Sequence, residues 1–425
     1  QVCDPISGSY FFAFGGHAWR AYPKRRSGRA PGILYGLLYC LLCAQCAGEE
    51  TGPGRDSFAF CRGLLTASGD WAGDAVPGAS GYDRGSLALF RLLEKEVAAG
   101  YLVLQPAFLG DAILTLPLIG RLRMADPTAR IYWVVRAGVE TLFTGHPWIT
   151  EIRVWDKSWR GWWHLWQELR RQRWEAVLTV HRYFRMGLLG RLVPAHTYIT
   201  FDKNPLGWAY TYTLPHVFRE GLHEVDRNLS LLGPLGIDTA RPALPWLFPP
   251  AAAREAISPY LARKPFLIVA PASRWPTKEA PFSLWQEFLK KASKDFSIYL
   301  TGAPADRRRL ESLVLSPGIE NLAGRLSLQQ LAALLAHAHR VFTVDSATTH
   351  IASAMGTPTT TVFCATVPAF GFGPLAPYSQ VVEVAQALPC RPCGLHGHRA
   401  CPQGHFQCGR KLSAQALLQS LYASP

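Results

Sequence analysis

Acidic residues are in short supply. The 425-residue chain sets 30 Asp and Glu against 44 Lys and Arg, a formal net charge of +14. It also lacks any apolar run of the roughly 18–20 residues needed to span a bilayer, and it shows no RNP, zinc-finger or recognition-helix signature. Nucleic acid is therefore not an expected partner. Ten cysteines over this length are too sparse for a small disulfide scaffold. With 48% hydrophobic and 17% charged residues, the chain can bury a sizeable core, and its length suits two domains plus an extension. Residues 1–99 hold 10 basic and 9 acidic residues, so nearly all the positive excess lies beyond them. Such a surface suits an anionic membrane face or a phosphorylated substrate; a solvated basic surface with no partner is the plainer alternative.

Residues 1–97 are rich in Gly, Pro and Ser and have little periodicity. Lys24, Arg25, Arg26 and Arg29 precede the short apolar segment Ile33–Ala47, the order found in signal peptides and signal anchors. The segment lies well inside the chain and ends in Cys40, Cys43 and Cys46, which lack a clear fourth metal ligand. An irregular extension from a fragment or wrongly assigned start, without functional structure, is the preferred reading.

From Tyr101 the pattern becomes regular. A buried strand (101–105), a turn, a helix over 111–124 and a strand at 131–135 make a βαβ unit of a parallel sheet. Ligands of such sheets bind beyond the carboxyl ends of the strands, where Phe108-Leu109-Gly110-Asp111 falls. Asp111 suits two roles there: a helix N-cap, or a base accepting a proton from a hydroxyl in the cleft. Gly110 lets the backbone approach a ligand closely. Residues 158–174 place Trp159, Trp162, Trp163 and Trp166 at helical spacing ahead of three arginines. Packing on the sheet and lying at a membrane interface both fit. A strand over 176–181 brings His181 and Arg182 toward the same cleft. His223 and Asp226-Arg227 open a helix ending at Gly236.

The four prolines of Arg241–Pro250 mark a linker between domains 98–245 and 246–425. Strands follow at 265–270, 297–301, 341–344 and 359–363, with a helix over 328–338. Asp345-Ser346-Ala347-Thr348-Thr349-His350 runs from strand into helix, so free N–H groups and the helix dipole face a bound anion. Ser273, Thr277 and Lys278 follow the domain's first strand and bring hydroxyls and a cation to the same edge. Together the two loops suit a diphosphate leaving group. Neither is a Walker A or GxGxxG motif, which argues against an NTPase or a dinucleotide dehydrogenase. Cys390, Cys393, Cys401 and Cys408, interspersed with His396, His398 and His405, offer ligand types for a structural zinc; reduced thiols or a disulfide clip fit as well. Residues 413–422 suit a final helix packed on the body.

The stretch LVLQPAFLGDAILTLPLIGRLRMADPTARIYWVVRAG resembles the opening of glycosyltransferase family 9, the bacterial lipopolysaccharide heptosyltransferases. HEVDRNLSLLGPLGI, the Lys278 loop, LAGRLSLQQLAALLAHAHRVFTVDSATTHIASAMGTPTTTVF and CRPCGLHGHRACPQGHFQC are similar in order and content, over roughly residues 100–415. The resemblance implies a GT-B fold, an α/β architecture of two Rossmann-like parallel-sheet domains facing a cleft, with acceptor in the first and ADP-sugar in the second. It implies Asp111 as catalytic base. Ser273, Thr277, Lys278, Asp345, Ser346, Ala347, Thr348 and His350 would hold the donor's phosphates and sugar, with Asp306 near the ribose and Leu326 near the adenine. Gly110, His181 and Arg182 would face the acceptor. Transfer would invert the anomeric centre without a catalytic metal, and the C-terminal cysteines would act as a domain staple. The expected protein is a monomer at the inner face of the cytoplasmic membrane, acting on a lipid-linked phosphorylated saccharide. A nucleotide-sugar epimerase of the same fold and a non-catalytic sugar-nucleotide or metal-binding protein are the rivals. Four departures stand out: Ala347 for a usual Gly, Glu279-Ala280-Pro281 for Arg-Trp-Pro, Thr179-Val180-His181 for Asp-Leu-Gln/His, and Tyr183 for a frequent Gly.

Overall fold

Strands buried on both faces read as continuous apolar runs, and helices must cover both faces of the sheet they form. In the computed structural model, which describes residues 100–263 and 265–423, two such sheets appear, each parallel throughout. The first contains β1 (Gly100–Leu104), β2 (Arg130–Arg136), β3 (Glu151–Trp155), β4 (Trp174–Thr179), β5 (Ala195–Phe201) and β6 (Tyr212–Leu214) in the order β3-β2-β1-β4-β5-β6. The second contains β7 (Phe266–Ala270), β8 (Ser297–Leu300), β9 (Ile319–Asn321), β10 (Arg340–Val344), β11 (Thr359–Phe363) and β12 (Gln380–Glu383) in the order β12-β11-β10-β7-β8-β9. Read from β9 across to β12, the second sheet repeats the strand order of the first. All described residues belong to one compact unit. The readings on residues 1–97 lie outside the described residues.

The shared strand order places the functional loops. Chain direction across each sheet reverses at β1/β4 and at β7/β10, and a crevice opens at such a switch point. Asp111 follows β1, His181 and Arg182 follow β4, Ser273–Lys278 follows β7, and Asp345–His350 follows β10. All four candidate loops therefore leave the central strands at the two crevices.

Several element boundaries differ from the sequence expectation. The helix expected over 111–124 is two helices, α1 (Leu109–Ile113) and α2 (Leu116–Ala125). Pro117 is the cause: inside a continuous helix its ring would strike the carbonyl four residues back, whereas the first turn of a new helix tolerates it. The tryptophan helix α3 (Trp159–Leu169) is capped by Ser158, whose Oγ accepts from the Gly161 N–H, and it stops before Trp174. Trp174 instead opens β4, its indole donating to the Leu169 carbonyl at 2.9 Å. Trp162 and Trp166 are buried and donate to the carbonyls of Arg185 and Leu192, so they pack, while Trp159 and Trp163 face outward. After α4 (Phe184–Leu192) comes α5 (Glu224–Ser230), shorter than expected because Gly233-Pro234 interrupts it before Gly236.

The proline-rich stretch is packed. Trp246 and Leu247 are buried, and the Trp246 carbonyl lies 2.8 Å from His146 Nε2. In the second half, α6 (Phe282–Ala292) and α7 (Leu328–Leu335) flank the sheet, the latter started by a Ser327–Gln330 capping box. Helix α8 (Ala347–Met355) ends at left-handed Gly356, and α9 (Ala414–Tyr422) buries Leu417, Leu418 and Leu421 in the core containing Trp285 and Phe288.

Candidate active site

A cleft of about 790 Å³ opens between the carboxyl ends of the two sheets. Gly110, Asp111, Arg182, Ser273, Lys278, Asp306, Leu326, Asp345, Ser346, Ala347, Thr348 and His350 all line it. Two expected site residues do not. Thr277 is buried, its hydroxyl accepting from His398 N–H at 2.7 Å and donating to His398 O at 3.0 Å. His181 packs against the Tyr183 ring, with burial depressing its pKa to about 4.

Asp111 occupies the third position of α1 and accepts a hydrogen bond from the Phe108 N–H at 3.2 Å. It thus caps the helix and faces the cleft at once. Burial, then the Glu224 carboxylate, raise its pKa to about 6, and the Phe108 N–H and Arg182 oppose the rise. A carboxylate of that basicity is ionised near neutrality and suited to taking a proton.

Gly110 joins this turn to the second half. A Cβ there would lie 2.9 Å from Cδ2 of His350, so only glycine lets α1 and α8 approach this closely. His350 is itself buried, its pKa lowered to about 4 mainly by burial, which makes the ring neutral at pH 7. Its Nδ1 has no hydrogen-bond partner.

Lys278 pairs with Asp345 at 2.7 Å, both largely shielded, and Asp345 also accepts from the Thr366 hydroxyl at 2.6 Å. The cation is thereby held at the N-terminus of α8, whose first N–H groups have no intrahelical acceptor. Ala347 is the first residue of that helix, and positive φ among the described non-glycine residues is confined to Lys157, Tyr378 and Phe406. The departure from glycine therefore imposes no backbone strain. Glu279 supports the same loop: it accepts from the Ser273 N–H at 2.8 Å and takes both guanidinium nitrogens of Arg309. Arg309 also pairs with Asp306 at 2.9 Å.

The cysteine segment braces this loop through Thr277 and through Cys393 N–H, which donates to Ala365 O at 2.8 Å. It also contributes Leu395 and His396 to the cleft wall. Its four thiols are unpaired, and among the described residues no group of three or more His, Cys, Asp or Glu is placed to hold a metal ion. Burial and the neighbouring sulfurs push Cys408 up to about 11.

Sequence reasoning missed a group at the mouth. The Phe108 ring carries Arg274 at 4.9 Å and Arg136 and Lys157 at 5.6 Å each. Arg185 donates to the Lys157 carbonyl at 2.6 Å. Burial, then Arg136, Arg274 and Arg185, lower the Lys157 pKa. Among the described residues no ion pair engages any of these four cations. The signal was dispersed over a strand end, a helix and two loops, so no single motif carried it.

Two halves of identical strand order, with facing loops at their switch points and a cleft between them, define a protein of the GT-B fold. The model of Glycosyltransferase family 9 (heptosyltransferase) matches residues 162–400, more than half of the chain, and the protein belongs to that family. Lipopolysaccharide heptosyltransferase 1 of Pseudomonas aeruginosa is 28% identical over 318 residues, covering 69% of this chain and 85% of that one. Among solved structures, the glycosyl transferase family 9 protein of Veillonella parvula superposes with a TM-score of 0.67 at 20% identity, over 77% of this chain and 99% of its own. The E. coli ADP-heptose lps heptosyltransferase II gives 0.61 at 17%, over 76% and 98%. Among the described residues no helix is long and apolar enough to cross a membrane.

Proposed function

We propose that this glycosyltransferase moves a heptose, or a related sugar, from an ADP-sugar to a hydroxyl of a lipid-linked, phosphorylated core saccharide, with inversion. The contact of Gly110 with His350 carries the reading, because it puts the base one residue from the donor helix. Asp111 takes the acceptor's hydroxyl proton as that oxygen bonds to the anomeric carbon, and the bond to the diphosphate oxygen breaks on the opposite face. Charge growing on the departing diphosphate meets Lys278 and the N-terminus of α8. Asp306 and Leu326, both on the cleft wall, suit the ribose and adenine. The relative of known structure named for ADP-heptose supports the choice of donor.

The unpaired cations round Phe108 suit the acceptor's phosphates, and the outward Trp159 and Trp163 suit an anionic inner-membrane face. On this reading the enzyme works as a peripheral monomer at the cytoplasmic face. The deciding experiment measures ADP release from ADP-heptose with and without a lipid A–Kdo acceptor. Acceptor-dependent release is expected; its absence across a panel of ADP-sugars would sink the proposal.

A further inference from the structure

Behind the cleft wall lies a charged network that none of the roles above uses. His216 is buried, its ring edge-on to Phe201 and Phe218 and its backbone N–H donating to Asp202 Oδ1 at 2.9 Å. Its Nε2 lies 3.2 Å from Glu224 Oε1, and its Nδ1 lies 3.4 Å from Nη1 of Arg182. A guanidinium only donates, so Nδ1 must be the acceptor and Nε2 carries the proton given to Glu224. The second Glu224 oxygen takes the Arg227 Nε–H at 2.7 Å. The tautomer of His216 is thus fixed from behind, and its one lone pair faces Arg182, a residue of the cleft wall shared with Asp111.

We infer that Glu224 and His216 are positioning residues: they hold the Arg182 guanidinium beside Asp111 and so set the ionisation of the base. This rests on the proposed role of Asp111. Electrostatics agree in sign, since Glu224 raises the Asp111 pKa and Arg182 lowers it. Burial opposes the charge on Glu224, but His216 and Arg227 outweigh it, keeping that carboxyl below its usual range and ionised. From the other half the group nearest the turn is His350, backed by Lys278 and Asp345. The neutral imidazole changes little over the range in question.

The two partners then have opposite signatures. His216→Phe keeps the Glu224–Arg227 pair but frees Arg182, so the acidic limb of the kcat/KM profile should move up by ~0.5 pH unit or more. Glu224→Gln can still accept from His216 but carries no charge, so the limb should move down by a similar ~0.5 unit. Arg182→Ala should shift the limb as His216→Phe does, and the double variant should shift it no further. The same shifts should appear in the Asp111 carboxyl titration of the ligand-free protein, followed by carbon NMR and assigned by its loss in Asp111→Asn.

Rates reduced alike at all pH values, with the limb and the NMR titration unmoved, would overturn the inference. So would additive shifts in the double variant. If Asp111→Asn transfers sugar normally while the NMR shifts occur as described, the network stands and the proposed base fails.

Discussion

Burial and the Glu224 carboxylate hold the Asp111 pKa at about 6, so the residue stores a tension between folding and chemistry. As the proposed base, Asp111 acts only when ionised, so kcat/KM should rise as pH climbs through about 6 and flatten above it. For stability the sign is reversed. A carboxyl whose folded pKa exceeds its unfolded value disfavours the folded state once pH rises through that interval, here by about 2–3 kcal/mol at most. Asp111→Asn should therefore lower transfer by about 10²-fold or more while leaving donor binding intact. It should also raise the melting temperature at pH 8, with the gain vanishing near pH 4. A melting temperature unchanged at pH 8 would mean the charge is better solvated than its surroundings indicate. One residue earlier, Gly110→Ala drives a methyl group toward His350, at 2.9 Å from Cδ2. Overpacking of that kind costs about 1–3 kcal/mol, and kcat should fall by about 10-fold or more as α1 and α8 are pushed apart. Turnover at the wild-type rate would show that the two turns need not touch.

At the scale of elements, the Lys278–Asp345 pair couples the loop after β7 to the helix after β10. Lys278→Met leaves a shielded carboxylate without its cation, which costs about 3–5 kcal/mol when such a pair is buried. Adding Asp345→Asn should recover most of the stability measured by denaturant unfolding and none of the donor affinity measured by calorimetry. Recovery of both would move the phosphate contact elsewhere. Element boundaries also show what could be read in the sequence. The central strands β1, β2 and β7 were legible because burial on both faces writes them as largely apolar runs, and β10 and β11, which carry buried threonines, through their β-branched and aromatic residues. The edge strands β6, β9 and β12 were not, being three or four residues long and partly exposed. Pro117 was visible in the sequence, yet the apolar periodicity runs through it and hid the break between α1 and α2.

Over the whole molecule, the four loops at the crevices were legible because their motifs follow recognisable strands. The cation group round Phe108 was not, because Arg136 ends β2, Arg185 lies in α4, Lys157 and Arg274 sit in separate loops, and the four meet only in the folded chain. Thr277 misled for the converse reason: its neighbours in sequence line the cleft, but its own side chain turns away to His398. Arg136→Gln with Lys157→Gln should raise the KM for a phosphorylated acceptor by about 10-fold and flatten its salt dependence, with the donor KM unchanged. An equal change in donor KM would place these cations on the nucleotide instead.

Helix α5 holds the loop at 368–373 mainly by its backbone: Arg227 donates to Phe370 O at 2.6 Å, the Glu224 N–H to Gly371 O at 2.9 Å, and His223 Nε2 lies 3.0 Å from Gly373 O. Carbonyls are the same whatever side chain they precede. The backbone part of this grip depends on the loop's sequence only at Gly371, whose φ of +86° and closeness to the Leu222 carbonyl exclude any larger residue. Phe370 and Phe372 both face the cleft, and their rings are tied in turn, Phe370 to Phe218 at 5.9 Å and Phe372 to Arg227 at 5.9 Å. The joint between the halves thus hangs chiefly on main-chain carbonyls, so a changed ring at 370 or 372 would reshape the cleft wall while those three hydrogen bonds persist.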